Sequence, residues 1–171
     1  MRAAVGHLPS RPHARRAGAL ILLASTLVAA ALESQTSASF STRAQVISAL
    51  GATGTADLEF GIVATTSSKA VPAKNGGRFS VVGAANQPVS VSLTLPATLG
   101  HPAVAVGAWT GLRGTAPGAG AATAFVPSAA AQTFTLSGTG RLFIWIGGTV
   151  VTTAAPIGSY VSPIVLTVVY N

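Results

Sequence analysis

The stretch that most restricts this chain is VSVSLTL, residues 89–95. In it Val89, Val91, Leu93 and Leu95 alternate with Ser90, Ser92 and Thr94. A period of two places the apolar side chains on one face and the hydroxyls on the other, which is the pattern of a strand with one wet face. TFTLSG repeats the pattern with Phe134 and Leu136 inward. In DLEFGIV, Leu58 and Phe60 alternate with Asp57 and Glu59, so a strand there turns both acids toward water. RLFIWIGG, from Arg141, is apolar on both faces, which suits a strand covered on both sides or one whose Phe143 and Trp145 meet a partner.

Between these runs lie turn formers: KNGGR (74–78), NQP (86–88), LPATLGHP (95–102), APGAGAAT (116–123) and AAPIGS (154–159). No window beyond the first forty residues repeats apolar positions at i, i+3, i+4 and i+7 between caps, and there is no internal repeat. Short strands separated by turns every ten residues or so describe an all-β sandwich or barrel. The pattern predicts strands over 40–50, 57–64, 78–83, 88–95, 103–110, 132–137, 141–152 and 159–170. Residues 111–131, rich in Gly and Ala, read as a long loop or irregular crossover.

The N-terminus carries a different signal. A basic stretch, MRAAVGHLPSRPHARR, precedes the apolar run Ala17 to Leu32 and the small polar segment ESQTSAS. That order is the one found in secretory signal peptides. A cut after Ala38 leaves Thr36 and Ala38 at the two small-residue positions, and a cut after Ser39 fits nearly as well; the first gives a signal peptide over 1–38 and one domain over 39–171. The rival reading is a retained membrane anchor, but the apolar run is shorter than the roughly 20 residues a bilayer span needs and small polar residues follow it, so cleavage is expected and no stable membrane span after it. Arg15 and Arg16 lack the residues that follow them in twin-arginine signals, so general secretion is expected, to the periplasm, cell surface or extracellular space.

Removing the leader changes the electrostatics. The whole chain carries net charge +7. After residue 38 only Arg43, Lys69, Lys74, Arg78, Arg113 and Arg141 remain against Asp57 and Glu59. These cations are scattered singly, whereas a nucleic-acid footprint clusters them against successive phosphates, so nucleic acid is not expected as a partner. The chain has no cysteine. Its core must hold the fold without disulfides, and thiol catalysis and thiolate metal sites are ruled out.

Little remains for chemistry. Asp57 and Glu59 are neighbours on one strand face and do not flank a substrate as paired glycosidase carboxylates do. His101 lies in the turn LGHPA with no second His or Cys to share a metal, and the many serines lack G-x-S-x-G. GAGAAT lacks the Gly-Lys-Ser/Thr of a phosphate loop. The expectation is a protein that is not an enzyme, with no catalytic, cofactor or metal residues.

Taken in order, several motifs resemble a known family. They are TADLEFGIVATTSS (55–68), with Leu58, Phe60 and Gly61 in L-x-F-G; VSVSLTLP; Gly147, Gly148 and Thr149; Gly158 and Tyr160; and the alternating tail that ends in Tyr170. They resemble the bacterial secreted family known only as domain of unknown function 4402, over essentially all of residues 39–171. That family is similar to spore coat U and to the fimbrial subunits assembled by the chaperone–usher route. The resemblance implies an immunoglobulin-like, pilin-like antiparallel β-sandwich that lacks its last strand and accepts a neighbour's N-terminal extension. Such pilins share a glycine fourteen residues from the C-terminus and a penultimate aromatic; Gly158 and Tyr170 occupy those places here.

By that resemblance the donor segment is 39–50, with Phe40, Ala44, Val46 and Leu50 on one face. The acceptor strand carries Gly158, Tyr160, Ile164, Leu166, Val168 and Tyr170. The implied partners are like subunits, with a periplasmic chaperone and an outer-membrane usher. The implied function is a non-catalytic structural or cell-surface subunit, fimbria- or coat-like. The chain departs from the pattern in lacking a disulfide, in placing Pro163 inside the expected last strand, and in sharing the donor face with Thr42 and Ser48. Residues 39–50 also read as the domain's own first strand. The alternative function is a self-complete surface-binding or adhesion module using Trp109, Phe143 and Trp145. A small outer-membrane barrel needs aromatic girdles that these few, irregularly placed aromatics do not supply.

Overall fold

A computed structural model describes Ala44 and residues 47–171. The expected signal peptide and the donor residues Phe40 and Val46 lie outside the described residues. The strands are β1 (Gly51–Ala56), β2 (Thr66–Val71), β3 (Gly77–Val82), β4 (Pro88–Thr94), β5 (Val104–Gly114), β6 (Thr123–Phe125), β7 (Gln132–Thr135), β8 (Arg141–Thr153) and β9 (Val165–Tyr170). All pairings are antiparallel, and they make two sheets. The first has the order β1-β3-β8-β5-β6, with β2 paired to the far half of β8; the second is β7-β4-β9. The chain is an all-β antiparallel sandwich, as its alternation predicts.

β8 is the axis of the molecule because its side chains are apolar on both faces. Leu142, Ile144 and Ile146 join Val81, Val89, Val91, Leu93, Phe134 and Leu136 between the sheets. Phe143 and Trp145 point the other way and are buried with Ala73 under Leu112, Ala119 and Ala122. Two short 3-10 turns, Ala73–Asn75 and Ala119–Ala121, thus give the first sheet a cover on its outer face. A strand buried on both faces reads as a continuous apolar run rather than an alternating one. β4 shows the opposite case, with Val89, Val91 and Leu93 buried and its hydroxyl residues facing out.

A bulge in β5 changes which residues face inward. The register passes from Gly107↔Thr149 to Thr110↔Gly147, so β5 carries one extra residue, and Ala108 takes a positive φ of 46° there. The phase shift lets Val104 and Val106 face the interior before the bulge and Trp109 after it. β5 then runs on to Gly114 and pairs with β6, so part of the expected 111–131 loop is sheet.

Four expectations change at the margins. Residues 57–64 are not a strand: they pair with nothing, although Leu58 and Phe60 still point inward and Asp57 and Glu59 outward. Ile47–Leu50 is also irregular, and Ala44 is exposed, so the described part of 39–50 is not a strand of its own domain. The last strand begins at Val165 rather than 159, so Gly158, Tyr160 and Ile164 precede it and Pro163 interrupts no ladder. β1 and β2, neither of which was expected, flank the irregular segment 57–65.

The two sheets differ in reach. β4, β7 and β9 cover only the half of the first sheet that carries Leu142 to Ile146. Over the other half, Val104, Val106 and Val150 are covered by Phe60 and Ala155, with Leu58, Val63, Leu99 and Tyr160 around them. Irregular chain takes the place of sheet there. Thr152 holds one of these segments down: its hydroxyl donates to the Ala64 carbonyl (2.6 Å) and accepts from the Ser67 N–H (3.0 Å).

Candidate functional site: an apolar groove beside a free strand edge

Where the second sheet stops, a groove of about 1150 Å³ opens between the layers. One wall is residues 57–65 and the other is 155–164; Phe79, Trp109, Ile146 and Val150 form the floor. The rim is apolar and unusually exposed, with Ile62 at 95%, Ile157 at 98% and Val161 at 87% of full exposure. Fully burying an aliphatic side chain of this size is worth about 1.5–3 kcal/mol, so this rim favours any partner that covers it.

The groove wall ends at Ile164, immediately before β9 begins at Val165. Among the described residues β9 pairs with β4 alone, through Val89↔Tyr170 to Thr94↔Val165. The Asn171 N–H donates to the Pro88 carbonyl (3.3 Å), which sets the phase of this ladder. Residues 165, 167 and 169 therefore direct their backbone groups at β4. Leu166, Val168 and Tyr170 direct theirs at the open side, while their side chains, half-buried, pack on the core. This edge offers a row of unsatisfied donors and acceptors next to an apolar trench.

The expected assembly residues divide accordingly. Leu166, Val168 and Tyr170 share one face of β9, and Ile164 continues that face into the groove. Tyr160 lines the groove but is not on the strand; its hydroxyl donates to the Pro156 carbonyl and its ring lies 5.7 Å from His101. Gly158 is exposed, has an ordinary φ, and has room for a Cβ, so no steric requirement at this position calls for glycine. Leu50 packs on the core beside Gly83, and Ala44 does not. Sequence patterning did not find Ile62, Ile157 or Val161, because an isolated aliphatic in a Gly- and Pro-rich segment has no periodicity to mark it.

Tyr170 is more than the end of an alternating strand. Its hydroxyl accepts from the Ala84 N–H (2.7 Å) and donates to the Ser48 carbonyl (2.8 Å). It ties β9 both to the turn after β3 and to the segment that leads into β1. Tyr170→Phe keeps the ring and loses both bonds, so urea denaturation should show a loss of about 1–2 kcal/mol.

The possible chemistry is sparse. Asp57 and Glu59 are exposed on the groove wall, and among the described residues neither makes an ion pair or a hydrogen bond to a base. No cluster of three His, Cys, Asp or Glu forms among those residues. The His101 Nδ1 accepts from the Ala103 N–H (3.1 Å), which uses the ring to close its own turn. Of the three large aromatics singled out from the sequence, Phe143 and Trp145 are buried under the outer cover. Trp109 alone of these three meets the groove.

Comparison with protein-family models, with curated proteins and with solved structures finds no match to this chain. The family resemblance rests on the sequence motifs alone. No helix among the described residues is long and apolar enough to cross a membrane.

Proposed function

We propose that this chain is a non-catalytic, exported structural subunit, fimbria- or coat-like, that associates with like subunits by accepting and donating a β-strand. The observation that carries the reading is the outward phase of Leu166, Val168 and Tyr170 on a free edge that runs into an apolar groove. A donated strand satisfies such an edge through main-chain bonds and buries alternate side chains in the trench. In this reading the sandwich is an incomplete immunoglobulin-like one, residues 39–50 are the donor, and a periplasmic chaperone and outer-membrane usher are the assembly partners.

The test uses a synthetic 39–50 peptide and a chain starting at Gly51. The peptide should raise the thermal midpoint of that chain and bind it with saturation. A shortened chain that is a stable monomer indifferent to the peptide would sink the proposal. A second reading, a self-complete surface-binding module, is favoured by Trp109 on the groove floor. It predicts a monomer whose Trp109 fluorescence responds to a glycan or surface polymer and not to the peptide.

A further inference from the structure

We propose that the occupant of the groove is residues 39–47 of a second copy of this chain, and that Asp57 and Glu59 set its register by pairing with Arg43. The inference rests on the strand-complementation reading and adds to it the contact that selects one alignment. Beyond the leader, Asp57 and Glu59 are the chain's only acidic side chains, and both lie on one wall of the groove. Arg43 is the only charge in residues 39–50. A sheet edge by itself specifies register weakly, because main-chain bonds repeat every two residues. A single charge on the incoming strand and a single acidic site on the acceptor remove that degeneracy.

The faces agree. Leu58 and Phe60 point inward, so Asp57 and Glu59 stand outward at the rim. On a donated strand whose Phe40, Ala44 and Val46 enter the core, Arg43 is out of phase with them and also stands at the rim. Length agrees too. At about 3.3 Å per residue, nine residues reach roughly 30 Å, while the six residues of β9 span roughly 20 Å. The remainder carries the strand past Ile164 into the groove.

A second copy is favoured over the chain's own segment by Ala44. It shares a phase with Leu50, which packs on the core, yet Ala44 is exposed. Neither Ala44 nor residues 47–50 line the groove of their own domain.

The experiment measures association of the exported chain by sedimentation at low and high salt, for the parent, Arg43→Glu, Asp57→Lys with Glu59→Lys, and all three together. It is paired with binding of labelled 39–50 peptide and its Arg43→Glu version to the exported parent and to the doubly reversed chain. The peptide arm removes any dependence on how a variant donor strand behaves in the protein. Each charge reversal should weaken association about fivefold or more at low salt, and the combined reversal should restore it. Arg43→Glu peptide should bind the doubly reversed chain better than the parent. Equal binding by parent and doubly reversed chains, with no restoration in the combined variant, overturns the register pairing and leaves strand donation standing. A parent chain that neither associates nor binds the peptide at any salt overturns both.

Discussion

A chain carrying Val168→Pro should fold and fail to associate, whereas Thr167→Pro should strongly destabilise the fold itself. The two positions are adjacent on β9 and differ only in where their N–H points. Thr167 pairs with Ser92 inside the ladder to β4, so proline there removes a ladder bond and places its ring against the neighbouring strand. Its side chain is exposed and contributes no packing to lose, so the loss of about 2–4 kcal/mol reads out the backbone alone. Val168 directs its N–H to the open edge, a position at which proline is tolerated. Its side chain packs on the core, and trimming a valine toward proline there costs about 1 kcal/mol. A donated strand, however, meets a missing donor and a ring at the middle of the edge it must pair with. Urea denaturation should therefore rank parent, Val168→Pro and Thr167→Pro in that order, with binding of the 39–50 peptide lost at least tenfold in Val168→Pro. Normal peptide binding by Val168→Pro would place the donated strand elsewhere than on β9.

The sequence announced the strands whose side chains have work to do in the core and was silent about those that do not. β4 and β7 are legible because Val89, Val91, Leu93 and Phe134 are buried on one face, which imposes alternation, and β8 because burial on both faces makes Leu142 to Ile146 a continuous apolar run. β1, with the sequence GATGTA, is exposed along its whole length and is held by backbone bonds to β3, so it leaves no trace in side-chain pattern. The segment 57–64 is the converse. Its alternation reports that Leu58 and Phe60 cover a sheet, a requirement that irregular chain meets as well as a strand does. The β5 bulge was hidden for a third reason. One extra residue at Ala108 moves Trp109 to the inner face, and single-residue phase changes cancel the periodicity that would reveal them.

The candidate site was half legible on the same logic. Leu166, Val168 and Tyr170 alternate because one face packs on the core, and that alternation identified the strand; its open edge was implied only by the family resemblance. The groove arises from a mismatch in length between the two sheets, which no local window records. Its most exposed members, Ile62, Ile157 and Val161, are apolar residues that the fold leaves uncovered, and only the tertiary arrangement distinguishes them from residues in a buried loop.

Gly147 and Gly148 allow the groove floor to be tested separately from the fold, because they face opposite sides of β8. A Cβ on Gly147 would collide with the Val71 carbonyl oxygen and the Ala73 nitrogen, where the chain crosses the outer face of the strand. Backbone cannot swing aside as a side-chain end can, so Gly147→Ala should cost about 2–4 kcal/mol and shift the whole unfolding transition. A Cβ on Gly148 would instead meet the Trp109 ring at 2.9 Å, from beneath the groove floor. The ring can tilt, and the space it tilts into is the groove. Gly148→Ala should therefore cost less, about 1–3 kcal/mol, while narrowing the trench. The chain has two tryptophans, so a Trp145→Phe background leaves Trp109 as the sole reporter. In that background Gly148→Ala should shift the emission of Trp109 and weaken binding of the 39–50 peptide. Gly148→Ala with unchanged emission and full peptide affinity would mean that a donated strand does not reach the floor between Phe79 and Val150. Strand exchange would then be confined to the β9 edge, with the trench left for a different ligand.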